Sequence, residues 1–133
     1  MALSTAVSGQ SKLYVCSASV PAMIGTYEID DELISDDAPV YTRVDPDDYN
    51  YDADPANDFR LFRHRGFWSF ADFASWPPEV HFRCDPHLND QDQACRRNQA
   101  APPLEGYSPR LGTELHSPVV QLQPCLPELT HEF

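Results

Sequence analysis

The sequence predicts a mainly β protein: a small antiparallel sheet or open barrel with extended, proline-rich N- and C-terminal arms. Three observations carry this. Six short runs rich in aromatic and β-branched residues fall within the first 84 residues, with turn signals between them. Proline occurs 13 times and helix-forming stretches are few, which argues against a helix bundle. The chain has 133 residues, room for one domain rather than two.

Taken in order, residues 1–11 form a flexible leader rich in small and hydroxyl side chains. It has no basic region and no apolar core of the secretory kind. It carries no acid, and its composition is faintly that of the end of an organellar transit peptide. Lys12–Ala18 is the first predicted strand and Gly25–Ile29, after Pro21, the second. Pro39–Val44 is the third, with Val40, Thr42 and Val44 on one face and Tyr41 and Arg43 on the other. Phe59–His64 and Phe67–Phe73 read as the arms of a hairpin, with Arg65-Gly66 at the turn, where glycine can take a positive φ. Trp68 and Phe70 share one face of the second arm; Phe67, Ala71 and Phe73 share the other. Val80–Cys84 is a sixth strand after the Trp76-Pro-Pro78 break, and Asp90–Gln99 a short helix capped by Asn89. The β-module is expected to span residues 12–107, and residues 108–133 to form an extended docking tail.

Charge narrows the function classes. Acids number 21 against 9 Lys and Arg, for a formal charge of −12. A protein so acidic repels phosphate backbones, so nucleic acid is not an expected partner. No run approaches the ~20 apolar residues of a membrane helix, so the chain is not expected to span a bilayer. The charge is also uneven. Glu28 to Asp58 holds twelve acids and a single base, Arg43, and is followed by the basic aromatic block Phe59-Arg-Leu-Phe-Arg-His-Arg-Gly66. Neutralisation of the Asp-rich stretch by this arginine block is preferred over a partner-binding role for it.

The tail carries Leu115, Val119, Val120, Leu122, Leu126, Leu129 and Phe133 among Pro118, Pro124 and Pro127. Such a segment cannot build its own core, yet is too apolar for a purely solvating tail. These residues are the expected partner-binding set. Proline-rich extended backbone loses little entropy on docking and offers few N–H donors, which suits contact through side chains rather than sheet extension.

The order Leu13-x-Val15, Gly25-Thr-Tyr27, Ala38-Pro-Val-Tyr41, Phe59-x-Leu-Phe62, Phe67-Trp68 and Pro102-Pro-x-x-Gly-Tyr107 resembles a small β-rich module that recurs in algae and other protists. The module's skeleton is G-x-Y … P-x-Y … L-Y … W-x-I … P-P-x-x-G-W. The likeness covers residues 12 to 107, with two departures: Tyr107 stands where the module has Trp, and Ser69-Phe-Ala71 replaces a Val/Ile pattern. The resemblance implies a fold and a protist ancestry, without catalytic residues. It makes Tyr27, Tyr41, Phe62, Trp68 and Tyr107 the structural core.

Cys16, Cys84, Cys95 and Cys125 allow three pairings. Cys84–Cys95, closing a polar loop, is the disulfide candidate; Cys16–Cys125 would pin the tail to the sheet, and a reducing compartment would leave four thiols. His81, Cys84, His87 and Cys95 contain a zinc donor set, but their spacing matches no familiar finger and no metal is expected. Asp48, Asn50, Asp52 and Asp54 alternate as calcium-loop oxygens do, without the turn glycine or the twelfth-position Glu; a solvated insertion is preferred. The five histidines have no nucleophile signature near them, and Asp72 reads as a strand-end carboxylate rather than a general base. No cofactor is expected. The expected function is a non-catalytic accessory subunit. It would dock peripherally on a larger assembly, an organellar energy-converting membrane complex, photosynthetic or respiratory, of a protist or alga. A free-standing ligand- or metal-binding β-domain is the alternative.

Overall fold

The computed structural model describes residues 11–44, 57–85, 95–110 and 117–125. Its strands are β1 (Lys12–Val15), β2 (Gly25–Ser35), β3 (Ala38–Val44), β4 (Phe59–His64), β5 (Phe67–Asp72), β6 (Glu79–Arg83), β7 (Ser108–Pro109) and β8 (Val120–Gln121). They form one sheet in the order β7-β6-β5-β4-β3-β2-β1-β8, every pair antiparallel, curled into a half-barrel. The mainly β expectation holds. β1 to β7 form a simple meander, and β8 returns to the free edge of β1.

Two tight turns organise one end of the sheet. Asp36 and Asp37 join β2 to β3 with φ of 59° and 63°, and Arg65 and Gly66 join β4 to β5 with φ of 53° and 91°. Two successive positive φ values match the right-handed twist of the flanking strands. Aspartate tolerates that region better than most residues. Gly66 has a second reason to be glycine: an added Cβ would lie 2.8 Å from Cγ of Arg97.

Alternation places the core. Leu13, Val15, Tyr27, Tyr41, Phe59, Leu61, Trp68, Phe70 and Phe82 point to the concave face and pack together. Tyr27 and Tyr107 both meet Phe70 edge-on, with centroids 5.6 and 5.1 Å away, and Tyr41 meets Trp68 at 6.2 Å. Burial of the two phenols is satisfied locally: Tyr27 donates to the Met23 carbonyl and Tyr107 to the Pro103 carbonyl, each at 2.7 Å. Phe62 is buried but does not belong to this core. It follows Leu61 in a strand, so it faces the opposite side, with Val40 and Ala71.

β2 runs to Ser35, six residues beyond the predicted end, through the acids Asp30, Asp31 and Glu32. Ile29 packs on the inner core and Leu33 on the outer cluster, although residues four apart in a regular strand share a face. A bulge accounts for the switch: pairing steps from Asp30–Val40 to Ile34–Pro39. No helix forms at residues 95–99, the described part of the predicted Asp90–Gln99 helix.

The sheet does not stop at residue 107. β7 and β8 both lie beyond it, and Val120, assigned above to partner binding, is 1% exposed inside the core. Pro118 and Pro124 flank rather than interrupt the Val120–Gln121 pair, so the backbone there can extend the sheet against Tyr14 and Val15. The Val120 amide also donates to the Leu104 carbonyl at 2.9 Å, so the strap before β7 bridges the two ends of the curl. Two disulfides fix this closure, Cys84–Cys95 and Cys16–Cys125.

Two outcomes follow. Trp68→Ala should cost about 3–5 kcal/mol in denaturant unfolding, a large share of the ~5–15 kcal/mol available to a small domain. Cys125 is exposed and Cys16 partly so, while Cys84 and Cys95 are buried. Graded reduction followed by alkylation and peptide mass measurement should therefore label Cys16 and Cys125 first, because thiol exchange requires access.

Candidate functional site: an apolar groove on the outer face of the sheet

The second apolar face is the functional candidate. On β3, β4 and β5 the outward positions include the apolar Val40, Phe62 and Ala71, joined just past β5 by Phe73. A sheet face left to water normally alternates to polar side chains. Here, Leu33, Val40, Phe62, Phe73 and Val80 line a groove of about 430 Å³. Ile34, delivered by the β2 bulge, forms one lip and is 74% exposed; Trp76, before a cis proline, forms the other and is 82% exposed. Phe62 and Phe73 meet edge-on at 5.3 Å and form the aromatic part of the lining.

The polar groups of the groove are largely committed. The Arg60 guanidinium lies 4.4 Å from the Phe73 ring centroid and donates to both carboxylate oxygens of Asp58, at 3.3 and 2.9 Å. Ser35 donates to the Arg63 carbonyl at 2.6 Å. His64 lies at the mouth, its ring 6.4 Å from that of Phe62. The arrangement desolvates apolar surface and holds no charge that calls for an ionic ligand. Its rim on the β2 side is acidic: Asp30, Asp31 and Asp37 border Leu33 and Ile34.

Two carboxylates fix the ends of the face. Asp36 accepts from the Gly66 amide and from Arg63 Nε, each at 2.9 Å. The Gly66 amide does most to hold the Asp36 carboxyl below its usual range; burial opposes this, and Arg63 reinforces it. At the other end Asp72 accepts from the amides of Asp58 and Ala74, both at 2.9 Å, and from the Asn57 side chain at 3.0 Å. Burial pushes the Asp72 carboxyl up, but these three donors together outweigh it and leave the pKa lowered. Asp72 thus ties the ends of β4 and β5.

Cys84 and Cys95 are bonded to each other, which removes both thiolates from any zinc set. His81 packs against Phe59 with ring centroids 5.3 Å apart, and His87 lies outside the described residues. The described residues contain no cluster of metal-binding side chains, and none of their helices is long and apolar enough to cross a membrane. The Asp45–Asp54 stretch lies outside the described residues; Arg60 and Arg63 pair with Asp58 and Asp36 instead. Of the tail set, Val119 and Leu122 are exposed, Val120 is core, and Leu115, Leu126, Leu129 and Phe133 lie outside the described residues. Sequence reasoning missed Leu33, Ile34 and Trp76. The signal for a second apolar face was present in Leu61-Phe62 and in Phe70-Ala71, where adjacent positions are both apolar.

The two held carboxylates predict the acid limb of stability. Each has a folded pKa below its unfolded value of about 3.9, so its contribution is complete above that pH and is lost as pH falls through the folded pKa. Denaturation midpoints measured between pH 6 and pH 2 should fall steeply for the native chain and less steeply for Asp72→Asn, which cannot ionise.

No family model matches the chain, no curated protein matches it, and no solved structure matches it.

Proposed function

We propose that this protein is a non-catalytic interaction subunit that receives an apolar segment of a partner protein in its outer-face groove. The observation that carries the reading is the pair of exposed lips, Ile34 and Trp76, across an apolar lining whose arginine is already ion-paired. Large apolar side chains set together in water mark a contact surface rather than a solvated one. The acidic rim selects the flanks of the occupant: an apolar segment with Lys or Arg beside it complements Asp30, Asp31 and Asp37. Exposed Val119 and Leu122 extend the apolar contact on the far edge of the sheet. Two disulfides suit an oxidising compartment. The protist-module resemblance and the leader composition then suggest the lumenal or intermembrane side of an organellar energy-converting complex.

A second reading rests on the groove's volume. About 430 Å³ falls within the ~300–1,000 Å³ of small-molecule sites, so an uncharged apolar compound could fill it.

A photo-crosslinking amino acid at position 76, introduced in the native source, tests both. The expected result is an adduct to one partner at a segment with basic flanks. A peptide of that segment should bind the native chain and lose about tenfold in affinity against Trp76→Ala. Migration of the native protein as a free monomer, with a small apolar molecule seen in native mass spectra, would overturn the subunit reading in favour of the second.

A further inference from the structure

We infer that the tip formed by the β4–β5 turn and the 95–99 segment is a binding site for a compact oxyanion, a phosphate or sulfate group, independent of the groove. The Asn98 amide donates to the Gly66 carbonyl at 2.8 Å and locks the two segments together. This crossing brings Arg65, Arg96 and Arg97 to one exposed end. Arg97 is preorganised: its stem lies on Gly66, where only the missing Cβ leaves room, and its guanidinium lies 5.0 Å from the Phe67 ring centroid. Its Nη1 reaches the Arg65 carbonyl at 3.5 Å, a long contact that leaves the remaining donors open.

Charge pairing elsewhere makes this cluster distinctive. Lys12 pairs with Glu28, Arg60 with Asp58, Arg63 with Asp36 and Arg83 with Asp85. No carboxylate among the described residues pairs with Arg65, Arg96 or Arg97, although acids outnumber bases 21 to 9. Arginine forks match tetrahedral oxyanions in a bidentate geometry. The net charge of −12 repels extended polyanions at long range, but screening confines that repulsion to about 8 Å at physiological salt. A small dianion can therefore approach this arginine end more readily than an extended polyanion can.

The test is titration of the full chain with inorganic phosphate at constant ionic strength, followed by amide NMR. Saturable shifts confined to residues 65–67 and 95–99 are expected, matched by sulfate and absent with chloride. Arg97→Gln should weaken binding about tenfold and Lys12→Gln, on β1, should leave it unchanged. Each variant keeps a full amide spectrum as evidence of folding. Equal responses to chloride and phosphate, or an unchanged response in Arg97→Gln, would overturn the proposal. So would a response to hexaglutamate but not to phosphate, which would make the tip a peptide contact. Binding that appears only after Asp90 and Asp92 are both replaced by Asn would show the cluster to be neutralised within its own chain, which also defeats it.

Discussion

Arg63 is 8% exposed and carries a full positive charge, which the fold has to answer from within. The answer comes from two separate segments. Asp36, in the β2–β3 turn, accepts from the guanidinium through its carboxylate and its backbone carbonyl. Gln99 supplies its backbone carbonyl at 2.8 Å, and the same oxygen accepts from the Trp68 indole at 2.9 Å. The Asp36 carboxylate reaches on to the Gly66 amide. One cation therefore sets the relative positions of two hairpin turns, the largest core side chain and the segment after Cys95. The guanidinium is enclosed while the Asp36 carboxylate is 32% exposed, so removing the Asp36 side chain would leave the enclosed charge with only the backbone carbonyls of Asp36 and Gln99 to answer it. The node gives the two turns a defined mutual placement, with the Asp36 carboxylate bonded to both Arg63 and Gly66.

That definition has a consequence for the outer face. Ile34 and Ser35 lie immediately before the Asp36 turn, and His64 immediately before Arg65. The upper part of the groove is thus built on residues adjacent to the Arg63 node, while its lower part is built on the Asp72 loop. A binding face framed by two hydrogen-bonded carboxylates is preorganised, and loses less entropy when occupied than a face made of free loops.

Most of the sheet was legible in the sequence because the meander is local: each strand pairs with its neighbour, and alternation assigns its faces. Tyr41, Trp68 and Phe70 fell on the predicted side for that reason. Three features were not legible. The β2 extension runs through Asp30-Asp31-Glu32, which reads as loop until the bulge that turns Leu33 outward is known. The Asp36-Asp37 turn lacks the glycine that usually announces two positive φ values. Val120 reads as a docking residue because its partners, Val15 and Leu104, are distant in the chain and no local pattern marks them. The groove was hidden for a related cause: Leu33-Ile34 stands between acidic stretches and Trp76 beside two prolines, and only the fold brings them to one groove.

Both edges of the sheet end in strands of two residues, β7 and β8. An open curl of this kind presents almost no ladder on which a foreign strand could template, so growth by edge pairing is blunted at both ends. The protection is unequal. β7 pairs with β6 after a connection that the buried Cys84–Cys95 bridge ties down, whereas β8 is held at β1 across 109 positions of chain by the more exposed Cys16–Cys125 bridge. Without that bridge, β8 would be held on Tyr14 and Val15 of β1 only by its ladder, the Val120–Leu104 hydrogen bond and the burial of Val120. The more exposed of the two bridges is therefore the covalent guard of the β1 edge.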